Sequence, residues 1–388
     1  MVGLERLIFN THDIVLLATI YQCVLFAMLL FVVRHQRRMA DYFLIGFLLT
    51  QAAIPLHILV NYGAEFRYIA LNISPNLYRV FEIAYWLEGP LLLWYIRALV
   101  YKDYHLRGFD VLFLVPAAIY LVWMWFDFYA LSYETKVEML RNYHTEEAPF
   151  LRHAQGFIRE CLRMMFSVLC LIEIHQFRKQ IRNRYSSLEN IDLGWLNLLV
   201  IGFTAIRCWA VFVSAAIILT VHGGIPIDFS LMGLTGNYTT LGLVSALIFF
   251  SLSRSRLFEG VITVEEGNAE HVEFDTAEVA RIEAHMATNK PFLKHILTLE
   301  QLARQLELPT RTLSNIINRH FKQNFFEFVN RYRVEESKRL LQDPELAQLT
   351  MIEVMSKSGF NSKATFNTFF KKLVGVTPSQ YRKQSLDD

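Results

Sequence analysis

The sequence predicts an all-α protein: a seven-helix transmembrane bundle followed by a cytoplasmic domain of two helix-turn-helix units joined by a long helix. Three observations predict it. Near residue 253 the chain changes from long apolar runs to charged stretches with the periodicity of soluble helices. The first part holds seven apolar runs near the ~20 residues needed to cross a ~30 Å bilayer core. The second part holds a similar capped helix pair twice. Over all 388 residues, 53% are hydrophobic and 19% charged, against roughly 45–50% and 25% in a soluble domain.

The expected spans are 13–33, 41–62, 77–101, 109–131, 157–177, 195–221 and 228–252. Charges interrupt the third and fifth. The first run is too long for a cleaved signal peptide, and its basic cluster "RHQRR" follows the apolar stretch instead of preceding it. It is therefore expected to stay, with the N-terminus outside. The positive-inside rule agrees. The inside segments 34–40, 102–108, 178–193 and 253–256 then hold eleven Lys and Arg, and the outside segments hold five. An odd number of spans puts the C-terminal part in the cytoplasm, and the expected location is a bacterial inner membrane. Trp86, Trp94, Trp123 and Trp125 read as interfacial anchors or bundle packing. The four cysteines, Cys23, Cys161, Cys170 and Cys208, all sit in apolar runs without metal-ligand spacing. They read as small hydrophobes, and neither a metal nor a cofactor is expected.

Charges inside a membrane are costly and mark candidate sites. Counting depth at ~1.5 Å per residue places Glu88 and Arg207 together near mid-membrane, and Glu82 with Arg163 in the outer half. Asp127, Arg159 and Glu160 lie nearer the outer surface. One reading is that such pairs only fix helix register. The other is a polar sensor pocket of Glu82, Glu88, Asp127, Arg163 and Arg207, open to the outside and binding a small signal. A transport pathway is a third. The outer loops are short, the longest being 132–156, so a separate folded sensor domain is not expected. No nucleophile–base constellation points to an enzyme.

Residues 1–252 thus form the membrane domain, and 253–284 a linker and connector helix. A short strand is expected at 260–264. In "DTAEVARIEAHMATN" the residues Val279, Ile282 and Met286 recur at helical spacing, with Asp275 and Glu278 as a capping box. This helix either packs on the next domain or serves as a relay or dimerisation element.

Residues 285–385 are basic: from Pro291 to Ser385 there are 15 Lys and Arg against 8 Asp and Glu. That balance suits a polyanionic partner. In "LTLEQLARQLELPTRTLSNIINRHF", helix 299–306 turns Leu302, Ala303 and Leu306 inward. A short turn containing Pro309 follows, and Thr310 caps helix 311–321. Leu313, Ile316, Ile317 and Phe321 face the core, leaving Arg311, Thr312, Ser314, Asn315 and Asn318 outward. A long helix, 325–342, connects to the second unit. There Thr350 and Glu353 form a capping box, and helix 351–357 turns Ile352, Val354 and Met355 inward. Gly359 is a left-handed helix end, and Ser362 caps helix 363–373. Phe366, Phe369 and Phe370 point in; Lys363, Thr365, Asn367, Thr368, Lys371 and Lys372 remain outside. Outward helices of this kind fit the major groove.

Over about 285–385 the chain closely resembles the AraC/XylS family of bacterial transcription activators. The most specific part is "GFNSKATFNTFFKKLVGVTPSQYR". The resemblance implies that two helices enter successive major grooves of double-stranded promoter DNA. By position, Arg311, Ser314 and Asn315, with Lys363, Asn367 and Thr368, match base-reading places. Asn318, Ser362 and Thr365 match phosphate-contacting ones. Thr368 stands where Arg is common, and Asn324 where Gly is common; Asn tolerates a left-handed conformation. The family's usual soluble barrel has no counterpart here. The expected function is a membrane-anchored regulator, an activator engaging RNA polymerase and working as a homodimer, whose membrane domain senses an unidentified signal. The alternative is a transporter or channel with a fused DNA-binding reporter.

Overall fold

The computed structural model describes residues 10–33, 38–101, 104–141, 149–188, 194–225, 230–253 and 276–387. Its described elements are helices, and an isolated antiparallel bridge joins Tyr185 to Thr298. The chain divides into two compact units. One is Met1–Ile174 with Leu193–Val264; the other is His175–Asp192 with Glu265–Asp388.

The first unit begins with α1 (Thr11–Val33) and α2 (Met39–Tyr62). The short α3 (Ala64–Ile73) and α4 (Leu77–Val80) lead to α5 (Ile83–Val100). A 3-10 turn, α6 (Val115–Met124) and a π turn then form one segment, Gly108–Tyr129. After it come α7 (Tyr133–Arg141), α8 (Phe150–Arg184), α9 (Gly194–Val221) and α10 (Ser230–Ser253). α2 packs against α1 and α5, and α10 against α1 and α9. Among the described residues, four segments are long and apolar enough to cross a membrane: Thr11–Val32, Met39–Tyr62, Gly108–Tyr129 and Gly194–Val221; Leu234–Phe250 is a shorter apolar helix. Large apolar side chains such as Val32, Phe126, Leu198 and Phe249 are exposed on these helices.

The third expected span is broken: α4 ends at Val80 and α5 starts at Ile83. The fifth lies in α8, whose 35 residues reach about 52 Å at 1.5 Å per residue. The expected inside loop 178–193 is therefore helical as far as Arg184.

The second unit contains α11 (Thr276–Asn289), α12 (Leu299–Gln305), α13 (Thr310–Arg319), α14 (Phe325–Gln342), α15 (Met351–Lys357), α16 (Lys363–Val374) and α17 (Pro378–Asp387). It has two cores. Ile282 and Met286 of α11 join Leu302, Ile316, Ile317 and Phe328 in the first. Val334, Leu341, Val354, Phe360, Phe366 and Phe370 form the second. α14 serves both, because its apolar residues continue along the helix from Phe325 to Leu341. Burying each such side chain contributes about 1.5–3 kcal/mol. The expected strand at 260–264 and the Asp275 cap lie outside the described residues.

Three local expectations are corrected. Ile352 is 63% exposed; the first turn of α15 packs Met351 instead. Thr310 is the first residue of α13, with Pro309 at the cap and no side-chain cap bond. Proline's fixed φ starts the helix one residue earlier than a threonine cap would. Asn324 is extended (φ −80°) and caps α14 through Oδ1, which accepts from the Glu327 N–H at 2.9 Å. The left-handed residue before α14 is Lys322, at φ 54°.

Candidate DNA-reading surface and buried charges of the first unit

Each helix pair of the second unit is built in the same way. In the first, Thr298 and Gln301 form a capping box: the Gln301 N–H donates to Thr298 Oγ1 at 3.2 Å. α12 ends on Glu307 at φ 52°, and the Leu308 N–H returns to the Ala303 carbonyl at 2.9 Å. In the second, the Glu353 N–H donates to Thr350 Oγ1 at 3.2 Å, and the Thr350 N–H to Glu353 Oε2 at 2.7 Å. α15 ends through Gly359 at φ 90°. Ser362 Oγ then accepts from the Thr365 N–H at 3.3 Å and caps α16.

These turns aim α13 and α16. In α13 Leu313, Ile316 and Ile317 are buried, Arg311 and Asn318 are exposed, and Thr312, Ser314 and Asn315 are half-buried. Asn318 Nδ2 donates to the Ser314 carbonyl at 2.8 Å. In α16 Phe366 and Phe370 are buried, while Lys363, Asn367, Thr368 and Lys371 are exposed; Ser362 and Thr365 are half-buried. Lys372 Nζ lies 3.3 Å from Glu327 of α14. Each helix therefore carries an apolar face toward its own core and a polar face whose amides and cations suit base edges and phosphates.

The sequence reading missed Arg333 and Asn330, which are 1% and 0% exposed. Arg333 Nε donates to the Phe292 carbonyl at 2.8 Å, and Nη2 to those of Lys294 (2.8 Å) and His295 (3.2 Å). It also reaches Ser186. The available signal was polar residues on an apolar stripe: Asn330, Arg333 and Ser337 recur at helical spacing beside Val334 and Leu341.

In the first unit, Glu88 gathers three partners. Oε2 accepts from Arg163 Nε at 2.7 Å and also from Nη2 of the same guanidinium. Oε1 accepts from Arg207 Nη2 and from Gln51 Nε2, each at 2.7 Å. Depth counting had matched Glu82 with Arg163. Arg163 instead spends its remaining donor on Glu160 at 2.6 Å. Glu82 pairs with Arg79 at 3.2 Å and Arg159 at 3.3 Å. A guanidinium has donors for two carboxylates, and the α8 residues at i and i+3 share one face. Asp127 pairs with Arg152 at 3.3 Å. Beside this network lies a cavity of about 460 Å³, lined by Trp86, Tyr120, Trp123, Gln155, Ile158 and Leu162 among others. Trp86 Nε1 and Gln155 Nε2 are buried and meet no acceptor among the described residues.

Residues 302–384 match the model of a helix-turn-helix domain family. Over 88 residues the chain is 33% identical to the HTH-type transcriptional regulator YtdP of Bacillus subtilis, a match covering 23% of this chain and 11% of that protein. It is 27% identical over 88 residues to the Msm operon regulatory protein of Streptococcus mutans, covering 23% of this chain and 31% of the relative. It is also 27% identical over 89 residues to the melibiose operon regulatory protein of Escherichia coli, covering 23% and 28%. The chain thus spans less than a third of each relative's length. No solved structure matches it. The C-terminal part is an AraC-type helix-turn-helix domain, a DNA-binding module.

Proposed function

We propose that this chain is a membrane-anchored, sequence-specific transcriptional regulator. α13 and α16 read double-stranded promoter DNA, and the N-terminal unit senses a signal in or across the bacterial inner membrane. The observation that carries this is the pairing of two recognition helices, α13 and α16, with four helices apolar enough to cross a bilayer. Arg311, Ser314 and Asn315, with Lys363, Asn367 and Thr368, are the base-reading set; Thr312, Asn318, Ser362, Thr365 and Lys371 support them on the backbone. The domain arrangement 1–252, 253–284 and 285–385, seven spans, a homodimer and activation through RNA polymerase complete the reading. Two relatives named as operon regulatory proteins agree with it.

The sensing site is the polar set Glu82, Glu88, Asp127, Arg163 and Arg207 with the neighbouring cavity. The cavity wall is apolar and selects a ligand with an apolar body, and the charged network beside it would meet an acceptor group. Four arginines, Arg79, Arg159, Arg163 and Arg207, face three glutamates, Glu82, Glu88 and Glu160, in this network. That balance favours an acceptor carrying negative charge.

The test is capture of sheared genomic DNA by the full-length protein in lipid nanodiscs. Recovery of fragments sharing a two-part motif is the expected result. Fragments recovered without regard to sequence would overturn the reading. Solute flux in liposomes holding the purified protein would favour the transporter alternative.

A further inference from the structure

The second unit includes a piece of chain from far outside the helix-turn-helix domain. His175–Asp192, the end of α8 and the segment before α9, belongs to it. Tyr185–Ser187 directly follows the end of α8, with a bend at Ser186. Tyr185 bridges Thr298. The Ser186 N–H donates to the Leu297 carbonyl at 3.1 Å, and the Leu297 N–H returns to Ser186 Oγ at 2.9 Å. The Ser186 carbonyl accepts from Arg333 Nη1 at 3.1 Å and from Asn330 Nδ2 at 3.4 Å. Arg333 Nη2 reaches Ser186 Oγ at 3.3 Å. The Ser187 hydroxyl donates to Asn361 Oδ1 at 3.2 Å.

These partners sit on three elements. Leu297 and Thr298 start the first helix pair, with Thr298 capping α12. Asn330 and Arg333 are on the connecting helix α14. Asn361 is the residue just before Ser362, the cap of the second recognition helix. This three-residue segment therefore touches both DNA-reading units and the spine between them. It is a built site, not a surface contact: Ser186 is 1% exposed, and Arg333 and Asn330 are equally buried. Withdrawing the segment would leave a buried guanidinium and a buried Leu297 amide short of acceptors, which a folded protein avoids.

We infer that Tyr185–Ser187 is a brace, and that the cleft around Arg333 is its docking surface. When seated, it holds α13 and α16 at the spacing that lets both enter DNA together. When withdrawn, the two units still fold but no longer share one preset geometry. Pre-organisation of this kind raises the affinity of a two-part site without adding a DNA contact. The hydrogen bonds go to Leu297, Asn330, Arg333 and Asn361, none of them a base-reading position. The segment is thus a brace and not a plug over the reading surface. Its position in the chain, between α8 and α9, puts it next to two of the passages of the chain from one compact unit to the other, so a change in the first unit can reach it directly. This inference deepens the regulatory reading above and rests on it. Wild-type binding to the captured promoter checks that reading separately.

The test uses the full-length protein in nanodiscs with the captured promoter fragment, intact or with one half scrambled. Ser186→Leu cannot fit a site that is 1% exposed and unseats the segment. Binding to the intact fragment should fall about tenfold, and binding to the half-scrambled fragment less than about twofold. Retained half-site binding shows that the domain is folded. Ser186→Ala keeps the shape but removes two hydrogen bonds, and should give the same split at smaller size. A short thiol cross-linker between Ser187→Cys and Asn361→Cys, in a Cys161→Ser, Cys208→Ser background, should keep intact-site binding at the wild-type level. Tighter binding by the leucine variant, weaker binding by the cross-linked protein, or equal loss on both fragments would overturn the brace.

Discussion

Replacing Gly359 by alanine probes the joint on which the second recognition helix turns. Gly359 sits at φ 90°, where an L-residue costs about 1–2 kcal/mol. An added Cβ would also lie 2.4 Å from the Phe292 carbonyl oxygen and 2.9 Å from Leu293 Cα. Both are backbone atoms, so the chain itself must move. That same carbonyl accepts from Arg333 Nε at 2.8 Å, and a hydrogen bond to a charged group is worth about 1.5–3 kcal/mol. The two effects together come to about 2.5–5 kcal/mol. Gly375 is the internal control: its φ is 88°, yet nothing lies within 4 Å of the added Cβ. Gly375→Ala should lose only the conformational part, about 1–2 kcal/mol. The assay is amide hydrogen exchange of α15 and α16 in the full-length protein in nanodiscs. With tenfold per 1.4 kcal/mol, Gly359→Ala should speed their exchange about sixtyfold or more, and Gly375→Ala about five- to thirtyfold. Equal effects at the two glycines would refute the clash argument and leave only the backbone angle.

Lys363→Ala should weaken binding to the intact promoter more than to scrambled DNA, by about 1–3 kcal/mol of discrimination; Lys371→Ala should weaken both alike and lower the salt slope by about one. Identical behaviour of the two variants in salt-dependent binding would refute the assignment. Glu88→Gln removes the shared carboxylate of Arg163 and Arg207 and should destabilise the first unit by about 3–5 kcal/mol, read as heat-induced loss of folded monomer in detergent; unchanged stability would refute the central role of Glu88. Thr350→Ala breaks the α15 capping box and should cost about 1 kcal/mol, read as faster hydrogen exchange confined to α15. For Glu336, burial alone would raise the carboxyl, but hydrogen bonds from Arg339 and Lys290, each at 2.8 Å, hold it below the usual carboxylate range. Its contribution is present above the unfolded-state value and lost as pH falls through the folded one. Glu336→Gln should therefore matter slightly at neutral pH, by less than about 1 kcal/mol for pairs this exposed, and not at all in strong acid; an effect that grows on acidification would refute it.

The legible parts of this chain are those where local physics and global fold agree. The capping boxes, the left-handed Gly359 and the 3–4 residue apolar spacing each act over one or two turns, so α12 to α16 are legible as elements, with errors only at single residues such as Thr310, Asn324 and Ile352. Depth counting brings Glu88 to Arg207 because each is near the centre of its apolar run, 77–101 and 195–221. It could not assign Arg163, since pairing among several carboxylates depends on which helix faces which, and a linear count carries no azimuth. The brace was illegible for a similar reason. "YSS" after a basic helix end looks like any solvated loop. Only Arg333, a charge on the buried stripe of α14, signalled that something outside the domain must supply oxygens. A buried arginine whose own helix-turn-helix unit leaves room for further acceptors is a request for a partner segment, and here the loop between α8 and α9 meets it.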